Sequence, residues 1–193
     1  MPAEKQFNVD KALENAVDAF WRRGYESTSM QDLVDCMEVN RGSLYATFGG
    51  KHELYKSALR NYAEKVCHQM HAELDSSVPP LDAIKTVFDG FSLPDGDGRP
   101  TKGCFLTNSA LELAAHDTEI REIVAASQLQ IEKFFIEKII QGQKDGCISK
   151  DLQPTDTARG LLATLQGLVV LTCSRPEKSL ITSVIADAIR RLQ

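Results

Sequence analysis

Arg41, Ser43, Tyr45 and Thr47 are interleaved with Leu44 and Phe48 in one short stretch of a 193-residue chain. Helical spacing turns Leu44 and Phe48 inward and leaves the four polar side chains outside. Guanidinium, hydroxyl and phenol groups on such a face are donors of the kind that engage phosphate oxygens and base edges in a DNA major groove. Charge is segregated around them. Residues 26–38 hold four acids (Glu26, Asp32, Asp35, Glu38) and no bases. From Val39 to Arg60, four bases (Arg41, Lys51, Lys56, Arg60) meet one acid, Glu53, a local +3. The total is −5, so the rest of the chain carries −8. A mildly acidic chain is no polybasic nucleic-acid coat, yet its mean charge conceals a basic face on an acidic body.

The elements that must position this face read as helices throughout. Val9, Ala12, Leu13, Ala16, Val17, Phe20 and Trp21 follow helical periodicity, with Asn8 as the cap and Gly24 as the stop. Met30, Leu33, Val34 and Met37 form a second short segment, capped by Thr28 or Ser29. Asn40 is a favoured cap for a third, Arg41 to Phe48, which Gly49-Gly50 ends. Leu33, Val34, Met37, Val39 and Leu44 form the apolar skeleton that docks two short helices at a steep angle. A long fourth helix runs from Lys51 to about Leu74 and contains the domain hinge. Further helices are expected over Leu81–Phe91, Gly103–Ala115, Asp117–Lys144, Pro154–Ser174 and Pro176–Leu192, with a loop over 93–100. No segment alternates with the period of a strand. The fold class is therefore all-α, with about nine helices.

Other chemistries find little footing. Hydrophobic residues make up 42% and charged residues 25%, ordinary values for a globular chain. No apolar run reaches the length of about 18 residues that a membrane span needs. The polar N-terminus lacks a signal-peptide core, which points to the cytoplasm. Five widely spaced cysteines without a CxxC suggest reduced thiols. Cys67, His68 and His71 lack a fourth ligand for zinc. Asp95-Gly96-Asp97-Gly98 fails as a calcium loop because Arg99 and Pro100 fall where an oxygen ligand and a glycine are needed. No nucleophile elbow, P-loop or dinucleotide fingerprint occurs. No catalytic residue, no metal and no cofactor is expected, and the chain is not read as an enzyme.

The run Val39-Asn40-Arg41-Gly42-Ser43-Leu44-Tyr45-Ala46-Thr47-Phe48, followed by Lys51 and Leu54-Tyr55, closely resembles the DNA-binding domain of TetR/AcrR-family transcriptional repressors. The match extends from about Val9 to Tyr55. The resemblance implies a helix-turn-helix DNA-binding domain over 1–51 and a C-terminal effector-binding and dimerisation domain over 52–193. It further implies a homodimer on a palindromic double-stranded operator, released when a small-molecule effector binds the C-terminal domain. DNA contact is carried over to Thr28, Arg41, Gly42, Ser43, Tyr45, Thr47 and Lys51. Asn40 caps the recognition helix and joins this set. One departure stands out: many members have Ala-Gly where this chain has Met37-Glu38, and a glutamate at positive φ carries a conformational cost.

The C-terminal half is less legible. Phe88, Phe91, Phe105, Phe134 and Phe135 are candidates to line an apolar effector pocket, with Asn108, Ser109 or Glu112 orienting the ligand. Cys104 follows Lys102 near a helix start, a setting that makes cysteines reactive. It is either a small residue beside that pocket or a redox or electrophile sensor, as in some relatives of similar type. The last two helices carry apolar stripes (Leu161, Leu162, Leu165, Leu168, Val169, Leu171; Ile181, Val184, Ile185, Ala188, Ile189). They fit the four-helix dimer interface of the family, with Gly160 and Gly167 allowing close approach.

Overall fold

Asn8 accepts a hydrogen bond from the Lys11 backbone N–H at 2.9 Å, and α1 follows over Val9–Arg23. The computed structural model describes residues 7–74, 77–93 and 101–193. Most of the loop expected over 93–100, including the rejected calcium motif, lies outside the described residues. Among those described, the further helices are α2 (Met30–Met37), α3 (Arg41–Phe48), α4 (Lys51–Glu73), α5 (Pro80–Asp89), α6 (Phe105–Glu112), α7 (Thr118–Asp145), α8 (Pro154–Ser174) and α9 (Lys178–Arg190).

Local chemistry explains most boundaries. Ser29, not Thr28, caps α2 in a reciprocal capping box with Asp32. Asn40 caps α3 by accepting from the Ser43 N–H at 2.7 Å. Asp117 caps α7 by accepting from the Ile120 N–H at 3.0 Å. Helix α6 is shorter than periodicity suggested. Cys104 is extended (φ −111°, ψ 130°) and Leu113 leaves helical geometry (φ −123°, ψ −32°), which confines the helix to Phe105–Glu112. Helix α9 begins at Lys178, with Glu177 at the cap position.

Glu38 is the one non-glycine residue at positive φ among those described (φ 56°, ψ 37°). The turn between α2 and α3 thus takes the left-handed geometry expected from the missing glycine, and the strain is real. Glu38→Gly is expected to raise the unfolding free energy by about 1 kcal/mol in chemical denaturation, and Glu38→Ala, which keeps the strain, by nothing comparable.

Packing divides the chain into two units. The first comprises Met1–Glu64 and Cys104–Val124. Its core joins Ala16 and Phe20 of α1, Leu33 and Met37 of α2, Leu44 of α3, Leu54 and Tyr55 of α4, Phe105 of α6 and Ile120 of α7. The second comprises Lys65–Gly103 and Ala125–Gln193. Its core joins Ile84 and Phe88 of α5, Phe134, Phe135 and Ile139 of α7, Leu161, Leu165 and Leu168 of α8, and Ile181 and Ile185 of α9. This division differs from a simple cut after residue 51. Helix α6 and the start of α7 pack with the first three helices, because Phe105, Leu106, Ile120 and Val124 complete their core.

Helix α8 is the one described helix long and apolar enough, by length and composition alone, to cross a membrane. Its inner side, Ala158, Leu161, Leu165 and Leu168, is committed to the core of the second unit. Part of the stripe expected at a dimer interface is therefore intramolecular. The outer side carries Gly160, Ala163, Gly167, Val170 and Ser174, all exposed. Their alternating three- and four-residue spacing is that of a helix-packing seam.

Candidate nucleic-acid interface

Helix α3 is anchored by Leu44, its one buried residue, with half-buried Phe48 packed against the same core. Leu44 is 0% exposed, while Arg41, Gly42, Tyr45 and Thr47 are exposed and Ser43 is half-buried. The Arg41 guanidinium lies 5.9 Å from the centroid of the Tyr45 ring, one helical turn away. Tyr45 is 44% exposed, unusual for so large an apolar ring. Of the residues predicted to read DNA, Arg41, Gly42, Tyr45 and Thr47 thus lie exposed on α3. Asn40 is exposed as well, its carboxamide oxygen held by the cap.

Lys51 opens α4, and α4 meets the turn between α1 and α2 through it. The ammonium sits 4.3 Å above the Tyr25 ring and donates to the Glu26 carbonyl at 3.5 Å. Tyr25 is itself fixed by an edge contact with Tyr55 at 5.0 Å and by stacking with Phe20 at 6.3 Å. Burial holds the Tyr25 phenol above its ordinary range, helped by the charges of Glu26 and Asp117. This seat was not foreseen. Its only trace in the sequence is an aromatic residue directly after the Gly24 helix stop.

Thr28 is a correction. It is 0% exposed, and its hydroxyl donates to the Gly24 carbonyl at 2.6 Å. Its N–H goes to the Tyr25 carbonyl at 3.2 Å. It staples the turn and presents no free group to a phosphate. Lys56 also leaves the basic face. It is 5% exposed and paired with Glu53 and Glu119, each at 2.7 Å. Glu119 first and then Glu53 hold its ammonium above the ordinary lysine range. Arg41, Lys51 and Arg60 remain as the other cations between Val39 and Arg60. On the acidic side, two hydrogen bonds from Ser29 and then the Arg23 guanidinium depress the Asp32 carboxyl to about 2.

The residues expected around an effector fall in different units. Phe88, Phe91 and Phe134 belong to the second core, where Phe88 stacks with Phe135 at 6.1 Å. Cys104, Phe105, Asn108, Ser109 and Glu112 belong to the first unit. There, Ser109 is buried and bonded to the Tyr55 hydroxyl at 2.7 Å. Burial pushes that phenol up to about 12. Cys104 is half-buried and accepts from the Tyr62 hydroxyl at 3.8 Å, beside Trp21 and Phe105. Glu112 points to the turn after α1, where its Oε1 accepts from the Glu26 N–H at 3.1 Å. Ser109 and Glu112 are thus engaged as internal fasteners, not as groups awaiting a ligand. His52 and Asp117, 2.6 Å apart, fasten α4 to α7 in the same unit.

Comparison with known proteins agrees with this geometry. The family model for bacterial regulatory proteins of the tetR family matches residues 12–58. The tetracyclin repressor-like C-terminal domain matches residues 80–179. The chain is 30% identical over 187 residues to the uncharacterized HTH-type transcriptional regulator YezE of Bacillus subtilis (strain 168), covering 97% of this chain and 92% of that one. It is 28% identical over 171 residues to the HTH-type transcriptional repressor ComR of Escherichia coli (strain K12), covering 86% and 80%. A cysteine-substituted form of the TetR-family regulator CifR, complexed with 26-bp double-strand operator DNA, superposes with a TM-score of 0.79 at 27% identity. That likeness covers 98% of this chain and 99% of CifR. With a helix-turn-helix at its start, an all-α body and matches along both, the chain belongs to the TetR family of bacterial transcriptional regulators.

Proposed function

We propose that the protein is a homodimeric repressor that binds a palindromic operator through α3 and is released from it by a small molecule bound within residues 52–193. One observation carries the DNA side. Helix α3 buries Leu44 completely and turns Arg41, Tyr45 and Thr47 to solvent. Arg41, Tyr45 and Thr47 contact bases or phosphates, with Gly42 and Ser43 at the same surface. Lys51 clamps the backbone, and Asn40 keeps the α3 N-terminus ordered. The complex of CifR with operator DNA supports the same use of this fold. Such a regulator works on DNA in the cytoplasm, with residues 1–51 as its reading portion.

The exposed seam of α8 supports dimerisation. A Cβ added at Gly160 or Gly167 would meet nothing within 4 Å, so the helix surface is open at both points. Two copies pair along this seam, with α9 beside it. A two-fold protein then demands a two-fold site. Selection from a randomised duplex pool tests the proposal. The wild type enriches an inverted repeat, and Arg41→Ala does not. Enrichment of a non-symmetric sequence, or none, contradicts it.

A further inference from the structure

Glu112 closes α6, where a negative charge is unfavourable for the helix dipole. Its carboxylate is spent elsewhere, on the backbone of the turn between α1 and α2. Oε1 accepts from the Glu26 N–H, a contact spanning 86 residues of sequence. The turn is shaped to admit it. A Cβ on Gly24 would lie 3.0 Å from both carboxylate oxygens, and Gly24 has φ 79°, a value that glycine tolerates. The opposite end of the same residue, the Glu26 carbonyl, receives the Lys51 ammonium. One residue of backbone therefore stands between a carboxylate on α6 and the cation proposed to clamp DNA, and the Tyr25 ring forms the rest of the lysine's seat.

We propose that Glu112 is a positioning residue for DNA binding, which fixes the Gly24–Glu26 turn so that Lys51 is held ready for a backbone phosphate. The inference rests on the DNA-binding reading above. A held lysine loses less side-chain entropy when it meets its phosphate than a free one, so the carboxylate strengthens binding without touching DNA. It also makes α6 the place where a displacement loosens the clamp while α3 stays folded.

The test is a double-mutant cycle on the duplex selected by the wild type, with affinity read as a function of salt. Lys51→Met is expected to weaken binding and to flatten the dependence of log K on log salt by about 0.9, one phosphate contact. Glu112→Ala is expected to weaken binding about fivefold in the wild-type background and to have no further effect on Lys51→Met. Glu112→Gln keeps an acceptor oxygen and is expected to stay close to wild type. If Glu112→Ala does not fold, Glu112→Asp, one methylene shorter, replaces it in the same cycle. Equal losses in both lysine backgrounds, or none in either, overturn the positioning role. Wild-type affinity in Lys51→Met overturns instead the DNA-binding face on which it rests.

Discussion

Tyr45→Ala is expected to lower operator affinity by about 1–3 kcal/mol, roughly five- to 150-fold, and to leave the thermal midpoint near that of the wild type. The two halves of this expectation have separate physical grounds. The ring is 44% exposed and lies outside the core beneath α3, so truncating it opens no core cavity. Leu44, which fastens α3 to the core, is unchanged. Only the surface offered to DNA differs, because the ring both reaches outward and braces the Arg41 guanidinium at 5.9 Å. Titration of a labelled operator, with a melting curve on the same preparation, measures both. A large fall in the melting temperature would make Tyr45 a folding residue. Unchanged affinity would move the reading face elsewhere.

If the proposed dimer forms along α8, Val170→Glu is expected to separate it into folded monomers and to reduce affinity for the full palindrome by at least about a hundredfold. Affinity for a duplex carrying one half-site should hardly change. Val170 is 44% exposed on the outer side of α8, so a carboxylate there is solvated in the single chain. Against a second copy it would be buried without a partner, which costs several kcal/mol. On the proposed seam, Gly167 and Ala163 would bring a partner backbone close and leave the carboxylate no room to turn away. Sedimentation velocity gives the mass, and binding to full and half sites gives the consequence for DNA. A dimer of wild-type stability in Val170→Glu would place the interface on another surface.

The local parts of this fold were legible before any coordinates. Asn8, Asn40 and Asp117 cap the helices they were expected to cap, since a cap depends on atoms three residues apart. Leu44 and Phe48 face inward for the same local reason. Glu38 stands in the left-handed region because the turn between α2 and α3 requires that geometry whichever residue occupies it. Legibility ends where partners are distant in sequence. Thr28 reads as a polar residue beside a DNA-contacting helix, and nothing nearby reveals that its hydroxyl closes onto Gly24. Lys56 reads as part of a basic run, yet its charge is taken up by Glu119, 63 residues on. Phe88 and Phe105 share an aromatic character but not a core. Helical periodicity shows that each is buried and is silent about what each is buried against.

The division of labour between the ends of the chain follows from the same packing. Helix α6 contributes Phe105 and Leu106 to the core under α1 to α3, and adds Ser109 and Glu112 as polar fasteners. The segment expected to supply Cys104, Phe105, Asn108, Ser109 and Glu112 to an effector pocket thus belongs to the unit that carries α3. Mutations in it are expected to change DNA binding directly, in the absence of any effector.

Amide hydrogen exchange, measured with and without the selected operator, tests the central claim most directly. The account predicts that DNA slows exchange at the turn around Tyr25–Thr28, along Asn40–Phe48 and at the start of α4, and that Arg41→Ala removes this protection. Protection confined to other helices, with Asn40–Lys51 exchanging as in the free protein, would contradict it.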